Sequence, residues 1–144
     1  MRRLAVVALL FASCAHVQCP RDEALFRATV NDFVAAVNAL DADKLASFFA
    51  EDATAFLPVT EPASRITGRA AIAAEFHRFF DPEKKTSSGR SVVAKDVVVQ
   101  FTNDVAIVTF DAGSGPMTSR RSLVFACRAG AWQIVHMHAS NVRR

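Results

Sequence analysis

The sequence predicts an α+β fold in which three amphipathic helices pack on one face of a curved antiparallel sheet. The chain has 144 residues, of which 51% are hydrophobic and 22% are charged, and this suits one compact domain. Apolar residues recur with a helical period in the first half of the chain, and strand-like alternation fills almost everything beyond residue 90. A sheet with one apolar face must bury it, and the helices are the elements available to cover it.

The helices are predicted before the long run of strands. Asp41 can cap a short second helix around Leu45, and a third helix opens at Gly68. The third helix should end at Asp81, because the residue before a proline avoids the helical region. The apolar stripe of the first helix, at spacings of three and four, consists of Phe26, Val30, Phe33, Val37 and Leu40. The apolar face of the third helix consists of Ile72, Phe76, Phe79 and Phe80.

Five strands complete the predicted domain. A short strand at 54–59 should lie at an edge of the sheet, because Pro58 cannot donate a backbone hydrogen bond. A polar loop at 83–90 precedes the other four strands, which short turns join in antiparallel pairs. These four strands span 91–101, 105–111, 120–127 and 131–140.

The N-terminus has the pattern of an export signal. A basic start precedes an apolar run at 4–12 (LAVVALLFA), which is shorter than the about 20 apolar residues of a membrane-spanning helix. Two forms of processing stay open. The segment at 11–14 (FASC) resembles a bacterial lipoprotein box that would place a lipid on Cys14, whereas plain cleavage would follow Ala15. We expect a periplasmic or lipid-anchored protein, or else a secreted one. Its predicted organisation is a signal peptide at 1–14, a linker at 15–21, the domain at 22–141 and a tail at 142–144.

Charge and cysteine content limit the partners and the cross-links. Loss of residues 1–13 would reduce Lys+Arg from 17 to 15, against 14 Asp+Glu, and the remaining basic residues form only isolated pairs. We therefore expect no nucleic-acid partner, and contact with a membrane only through the lipid on Cys14. Cys19 and Cys127 could form one disulfide if their Cα atoms approach within about 7 Å, and the sequence leaves their redox state open.

The order of elements resembles the cone-shaped nuclear transport factor 2-like superfamily, which includes SnoaL-like and ketosteroid-isomerase-like proteins. Segments at 53–58 (ATAFLP), 76–80 (FHRFF) and 132–140 (WQIVHMHAS) are similar to the association domain of calcium/calmodulin-dependent protein kinase II. The resemblance implies a deep pocket between helices and sheet, and assembly through the exposed face of the sheet. Neither a kinase catalytic motif nor room for a kinase domain is present.

The resemblance also implies the character of the pocket. Positions that hold arginines in the association domain align here with uncharged residues, including Leu123 and Ala139. We therefore expect a small, mainly apolar ligand and no cofactor. The expected lining is Phe33, Phe76, His77, Leu123 and Met137.

An enzyme of the isomerase, cyclase or hydratase kind is the alternative. His77 would act as the proton shuttle, because an apolar surrounding lowers the pKa of an imidazole and keeps it neutral. Asp111 would orient the ring of His77. The chain has no Tyr, which excludes a mechanism that needs a catalytic tyrosine.

The last predicted strand carries a pair of histidines. His136 and His138 lie two residues apart, so their side chains should leave the same face of the sheet as Trp132. Two imidazoles at this spacing could hold a transition metal, but without a recognisable further ligand we predict no metal site. Apolar residues on both faces of this strand predict instead that Trp132, His136 and His138 form the interface of a homo-oligomer, most simply a dimer.

Overall fold

Three helices and six strands make up the described part of the domain. The computed structural model describes residues 18–58, 64–87, 89–113 and 117–143. No helix in these ranges is long and apolar enough to cross a membrane. The elements are α1 (Glu23–Asn38), α2 (Ala42–Ala46), β1 (Phe49–Phe56), β2 (Ile66–Thr67), α3 (Arg69–Lys84), β3 (Val93–Thr102), β4 (Val105–Gly113), β5 (Met117–Arg128) and β6 (Ala131–Arg143).

The strands form one sheet in the order β2-β1-β6-β5-β4-β3. All neighbours run antiparallel except β1 and β6, which run parallel, so the sheet is mixed rather than purely antiparallel. The sixth strand is β2, which has two residues and is too short to show an alternating pattern. β1 begins at Phe49, five residues before the predicted start, and ends before Pro58. β6 extends to Arg143, into the predicted tail.

The helices begin where the sequence predicts, but α3 ends later. The Asp22 carboxylate caps α1 by accepting a hydrogen bond of 2.9 Å from the backbone N–H of Ala24. α3 continues through Pro82 to Lys84. Because the proline lies in the last turn, its missing N–H removes only one bond near the end of the helix. The Glu83 carbonyl then accepts bonds of 2.9 Å from the next two backbone amides beyond the helix cap, so the turn stays closed.

The two faces of the sheet differ in burial. The inner face packs on the helices, and Phe26 of α1 contacts three aromatic rings there, with centroids 5.1 to 5.4 Å away. The outer face points away from the helices. It carries Thr54, Phe56, Val93, Val98, Ile107, Ser122, Val124, His136 and His138. Four of these are large apolar side chains with 38% to 56% exposure: Phe56, Val93, Val98 and Ile107.

A bulge changes which residues of β6 share a face. Val124 pairs with His136, but the next residue of β5, Phe125, pairs with Ile134, so Val135 is an extra residue. Ile134 is therefore buried on the inner face although it lies two residues before the outward-facing His136. The prediction that Trp132 shares a face with the histidines is wrong for the same reason. Trp132 lies on the inner side, 5.3 Å from the ring of Phe26.

The N-terminal segment at 18–22 is fastened across one end of the domain. Cys19 and Cys127 form a disulfide with Cα atoms 5.7 Å apart, which resolves the pairing that the sequence leaves open. The indole Nε1 of Trp132 donates a hydrogen bond of 2.9 Å to the carbonyl of Pro20. The guanidinium of Arg21 lies 5.6 Å from the centre of the Phe101 ring. Covalent, polar and cation–π contacts together hold this segment over the aromatic cluster around Phe26.

Candidate functional site

An apolar cavity lies between the helices and the inner face of the sheet. Its enclosed volume is about 70 Å³, and its space with the open mouth included is about 420 Å³. α1, α2 and α3 provide one wall, β5 and β6 the other, and the segment after β1 completes it. The lining consists of Phe33, Val37, Leu45, Leu57, Pro58, Phe76, Phe79, Phe80, Arg121, Met137 and Ala139.

Three of the five residues predicted to line the pocket do so. Phe33, Phe76 and Met137 belong to the lining and are almost fully buried. Leu123 is completely buried on the inner face, where it pairs with Met137 across the strands and packs into the core instead. His77 is not a lining residue, because its ring turns from α3 towards α2.

Among the described lining residues one is charged, Arg121 of β5, whereas the sequence predicts an apolar pocket with one imidazole. Its Nη1 donates to the carbonyl of Arg120 at 3.0 Å and lies 3.5 Å from that of Ser140. Desolvation, and to a smaller extent the positive charge of Arg90, lower the pKa of Arg121 to about 10. The guanidinium is still protonated at neutral pH. Strand alternation could have identified it, because Arg121 shares its face with the buried Leu123 and Phe125.

A second guanidinium packs against the aromatic part of the lining. Arg90 lies 4.5 Å from the ring centre of Phe79 and 5.3 Å from that of Phe80. Its Nε donates to both carboxylate oxygens of Glu83, at 2.9 and 3.0 Å, and its Nη2 donates to one of them as well. This ion pair lowers the pKa of the Glu83 carboxyl, the hydrogen bond from Arg90 being the main cause.

The loop that carries Arg90 is fixed to the end of α1. The Asn38 side chain donates to the carbonyl of Val92 at 2.9 Å and accepts from its N–H at 2.7 Å. The backbone N–H of Arg90 donates to the Asn38 carbonyl at 2.9 Å. Gly89 has φ +133°, and a Cβ atom there would lie only 2.4 Å from the same carbonyl oxygen. Only glycine fits this approach, so the position of Arg90 is set by backbone contacts.

His77 connects two helices rather than facing an apolar pocket. Its Nε2 lies 3.0 Å from Oδ1 of Asp43 on α2, and its Nδ1 lies 3.5 Å from Oδ1 of Asp81. The hydrogen bond with Asp43 raises the pKa of His77, partly opposed by desolvation. The expected lowering is therefore wrong. Asp111 does not orient the ring either, because it lies on β4, opposite Lys95 and Arg120.

The histidine pair of β6 lies on the outer face of the sheet. His136 Nδ1 is 2.8 Å from the hydroxyl of Thr54, and the rings of both histidines lie about 6 Å from that of Phe56. Within the described ranges, no three His, Cys, Asp or Glu side chains come together in a way that could hold a metal ion.

Comparison with known proteins identifies the family. Residues 26–143 match the SnoaL-like domain family. The chain belongs to this family. A comparison with curated protein sequences gives no significant match for this SnoaL-like protein.

Solved structures share the fold of this SnoaL-like domain. An NTF2-like protein of unknown function from Pseudomonas putida is 21% identical with a TM-score of 0.69, over 82% of this chain and 84% of that one. A ketosteroid isomerase-like protein from Erwinia carotovora atroseptica is 18% identical with a TM-score of 0.67, over 84% and 96%. A proposed calcium/calmodulin-dependent protein kinase type II association domain from Thiobacillus denitrificans is 22% identical with a TM-score of 0.63, over 89% and 99%. The predicted resemblance is thereby confirmed at the level of fold.

Proposed function

We propose that this SnoaL-like protein is exported, self-associates, and binds in its cavity a small, mainly apolar molecule that carries one anionic group such as a carboxylate. The observation that carries the ligand class is the guanidinium of Arg121 in a lining whose other described residues are all apolar. Aromatic and aliphatic side chains would hold the body of the ligand, and Arg121 would hold its charge.

The energetics of a partly buried cation favour this ligand. Taking a guanidinium out of water is costly unless an anion and hydrogen bonds compensate it. Among the described residues, no carboxylate lies within ion-pairing distance of Arg121, and its hydrogen bonds go to backbone carbonyls. A ligand carboxylate can accept two parallel N–H bonds from a guanidinium, which is among the stronger polar contacts in proteins. Binding of an anionic ligand would therefore offset the free-energy cost of taking the Arg121 guanidinium out of water.

Two further observations support export and self-association. The disulfide between Cys19 and Cys127 is of a kind that persists mainly in oxidising compartments, and the apolar run at 4–12 provides an export signal. The outer face exposes Phe56, Val98 and Ile107, and apolar surface of this kind often marks an interface between copies. The alternative, proton transfer by His77 in the pocket, is not favoured, because Asp43 holds its ring away from the lining.

Calorimetric titration with hexanoate tests the ligand class. We expect hexanoate to bind and Arg121→Met to weaken it at least about tenfold, because a charge-assisted contact contributes roughly 1.5–3 kcal/mol. The matched control is Arg120→Met, which changes the neighbouring arginine on the opposite face of β5 and should leave binding unchanged. Hexanoate binding that survives Arg121→Met, or no binding by the wild-type protein, would contradict the proposal.

A further inference from the structure

Two cations and one anion lie next to the aromatic part of the cavity lining, although only one of them, Arg121, is itself a lining residue. Arg121 belongs to the lining, and Arg90 packs on Phe79 and Phe80, which belong to it as well. The two guanidiniums are close enough for the charge of Arg90 to disfavour protonation of Arg121. Glu83 supplies the single negative charge of this group. The group therefore carries a formal net charge of one positive unit.

The carboxylate of Glu83 forms its ion pair with Arg90. Both oxygens of Glu83 accept hydrogen bonds from Arg90, in the bidentate geometry that suits a guanidinium and a carboxylate. The side chains of Arg90 and Glu83 are only 25% and 30% exposed, so solvent screens the pair less than an ordinary surface pair. Asn38 and Gly89 fix the loop behind Arg90, and Glu83 lies in the last turn of α3. The backbone that carries each partner is therefore held in place.

We propose that the Glu83–Arg90 ion pair determines the charge of the ligand: Glu83 acts as a built-in carboxylate for Arg90, so the cavity selects monoanions and rejects dianions. The inference rests on the proposed function and adds that the site distinguishes ligands by the number of their negative charges. A monoanion pairs with Arg121 and leaves Glu83 in place. The second carboxylate of a dianion would either lie unpaired among phenylalanine rings or have to displace Glu83, and both alternatives are costly.

Hexanoate and adipate form the test pair, since both have six carbon atoms and differ in carrying one or two carboxylates. We expect the wild-type protein to bind adipate at least about tenfold more weakly than hexanoate, because the repulsion from Glu83 and the unpaired charge add up. Glu83→Gln keeps the size of the side chain and removes its charge, so Arg90 becomes available. In this variant the preference for hexanoate should shrink about tenfold or more.

Glu75→Gln is the matched control, because Glu75 lies on the same helix and pairs with Arg78 instead. It should keep the wild-type preference. Arg90→Met provides a second, independent variant: it leaves Glu83 without a partner, and should weaken hexanoate binding by adding an uncompensated negative charge near Arg121. Circular dichroism verifies that each variant is folded.

The possible results of these titrations distinguish the charge rule from the proposed function. Equal binding of hexanoate and adipate by the wild-type protein would overturn the charge rule and leave the proposed function standing. If folded Glu83→Gln kept the wild-type preference for hexanoate over adipate, the charge rule would also be overturned. Unchanged hexanoate binding by Arg90→Met would overturn it as well. No hexanoate binding by the wild-type protein would overturn the proposed function and this inference with it.

Discussion

Arg121 and Phe26 both lie on the helix side of the sheet, yet their burial has opposite energetic consequences. Phe26 is 1% exposed, and its ring contacts Phe101, Phe125 and Trp132 edge to face, so its burial stabilises the domain. The lowered pKa of Arg121 means that the folded protein disfavours the charged form of this side chain relative to water. The charge of Arg121 therefore lowers the stability of the ligand-free protein. We expect Arg121 to make a favourable contribution only when an anionic ligand is bound in the cavity.

Arg121→Met should therefore stabilise the ligand-free protein while it weakens hexanoate binding. Methionine keeps an unbranched side chain of similar reach and removes a partly buried charge that has no carboxylate partner among the described residues, so we expect the free energy of unfolding to stay the same or to rise. Urea unfolding at pH 7 measures the change, with Arg120→Met as the control for loss of an arginine from the same strand. A destabilised Arg121→Met variant would show that the arginine serves the fold rather than a ligand.

At the scale of elements, the contact between α2 and α3 depends on pH. His77 on α3 and Asp43 on α2 form its polar part, and the pKa of His77 is raised in the folded protein, first by the hydrogen bond with Asp43. A raised folded pKa means that the folded state binds the proton more tightly than the unfolded state. The stabilisation is thus complete below the ordinary value of 6.5 and disappears as the pH rises through the folded pKa.

We expect His77→Gln to lower the denaturation midpoint at pH 5.5 and to have a smaller effect at pH 8.5. Asp43→Asn should show a similar but smaller pH dependence, because the contact of His77 with Asp81 remains, and the double variant should add little to His77→Gln, which already removes both contacts. Urea unfolding of the four proteins at both pH values measures this. A His77→Gln effect that is equal at pH 5.5 and pH 8.5 would mean that the ion pair contributes nothing.

The spacing of apolar residues identifies the helices and strands of this fold, but it does not show for every strand which face is buried. The apolar stripes of the helices correctly predicted that Phe33 and Phe76 are buried, because the 3.6-residue spacing continues through a whole helix. Alternation fails on β6, because the bulge at Val135 is an insertion that no polar or apolar pattern marks. The partner of His77 lies 34 residues away on another helix, and a contact of that kind depends on how helices pack rather than on local sequence.

At the scale of the whole molecule, contacts distant in sequence hold the segment at 18–22 and the last strand to the rest of the domain. The disulfide joins residues 108 positions apart, and β6 lies in the middle of the sheet between β1 and β5. The N-terminal segment and the last strand are therefore tied to the same sheet. Since the helices cover the inner face alone, the outer face is the large surface that remains for contact with a second copy.

The last prediction concerns this outer face. A charge at Val98 or Ile107, which are 52% and 38% exposed, should dissociate the oligomer, because an unpaired lysine is unfavourable inside an apolar interface. The matched control is Leu25→Lys, since Leu25 is 41% exposed on α1, on the helix side of the sheet and not on the outer face. Sedimentation velocity of the mature domain at micromolar concentration should show an oligomer for the wild-type protein and Leu25→Lys, and a monomer for Ile107→Lys. A monomeric wild-type protein would reject the interface, and an oligomer that persists in both Val98→Lys and Ile107→Lys would place it on another surface.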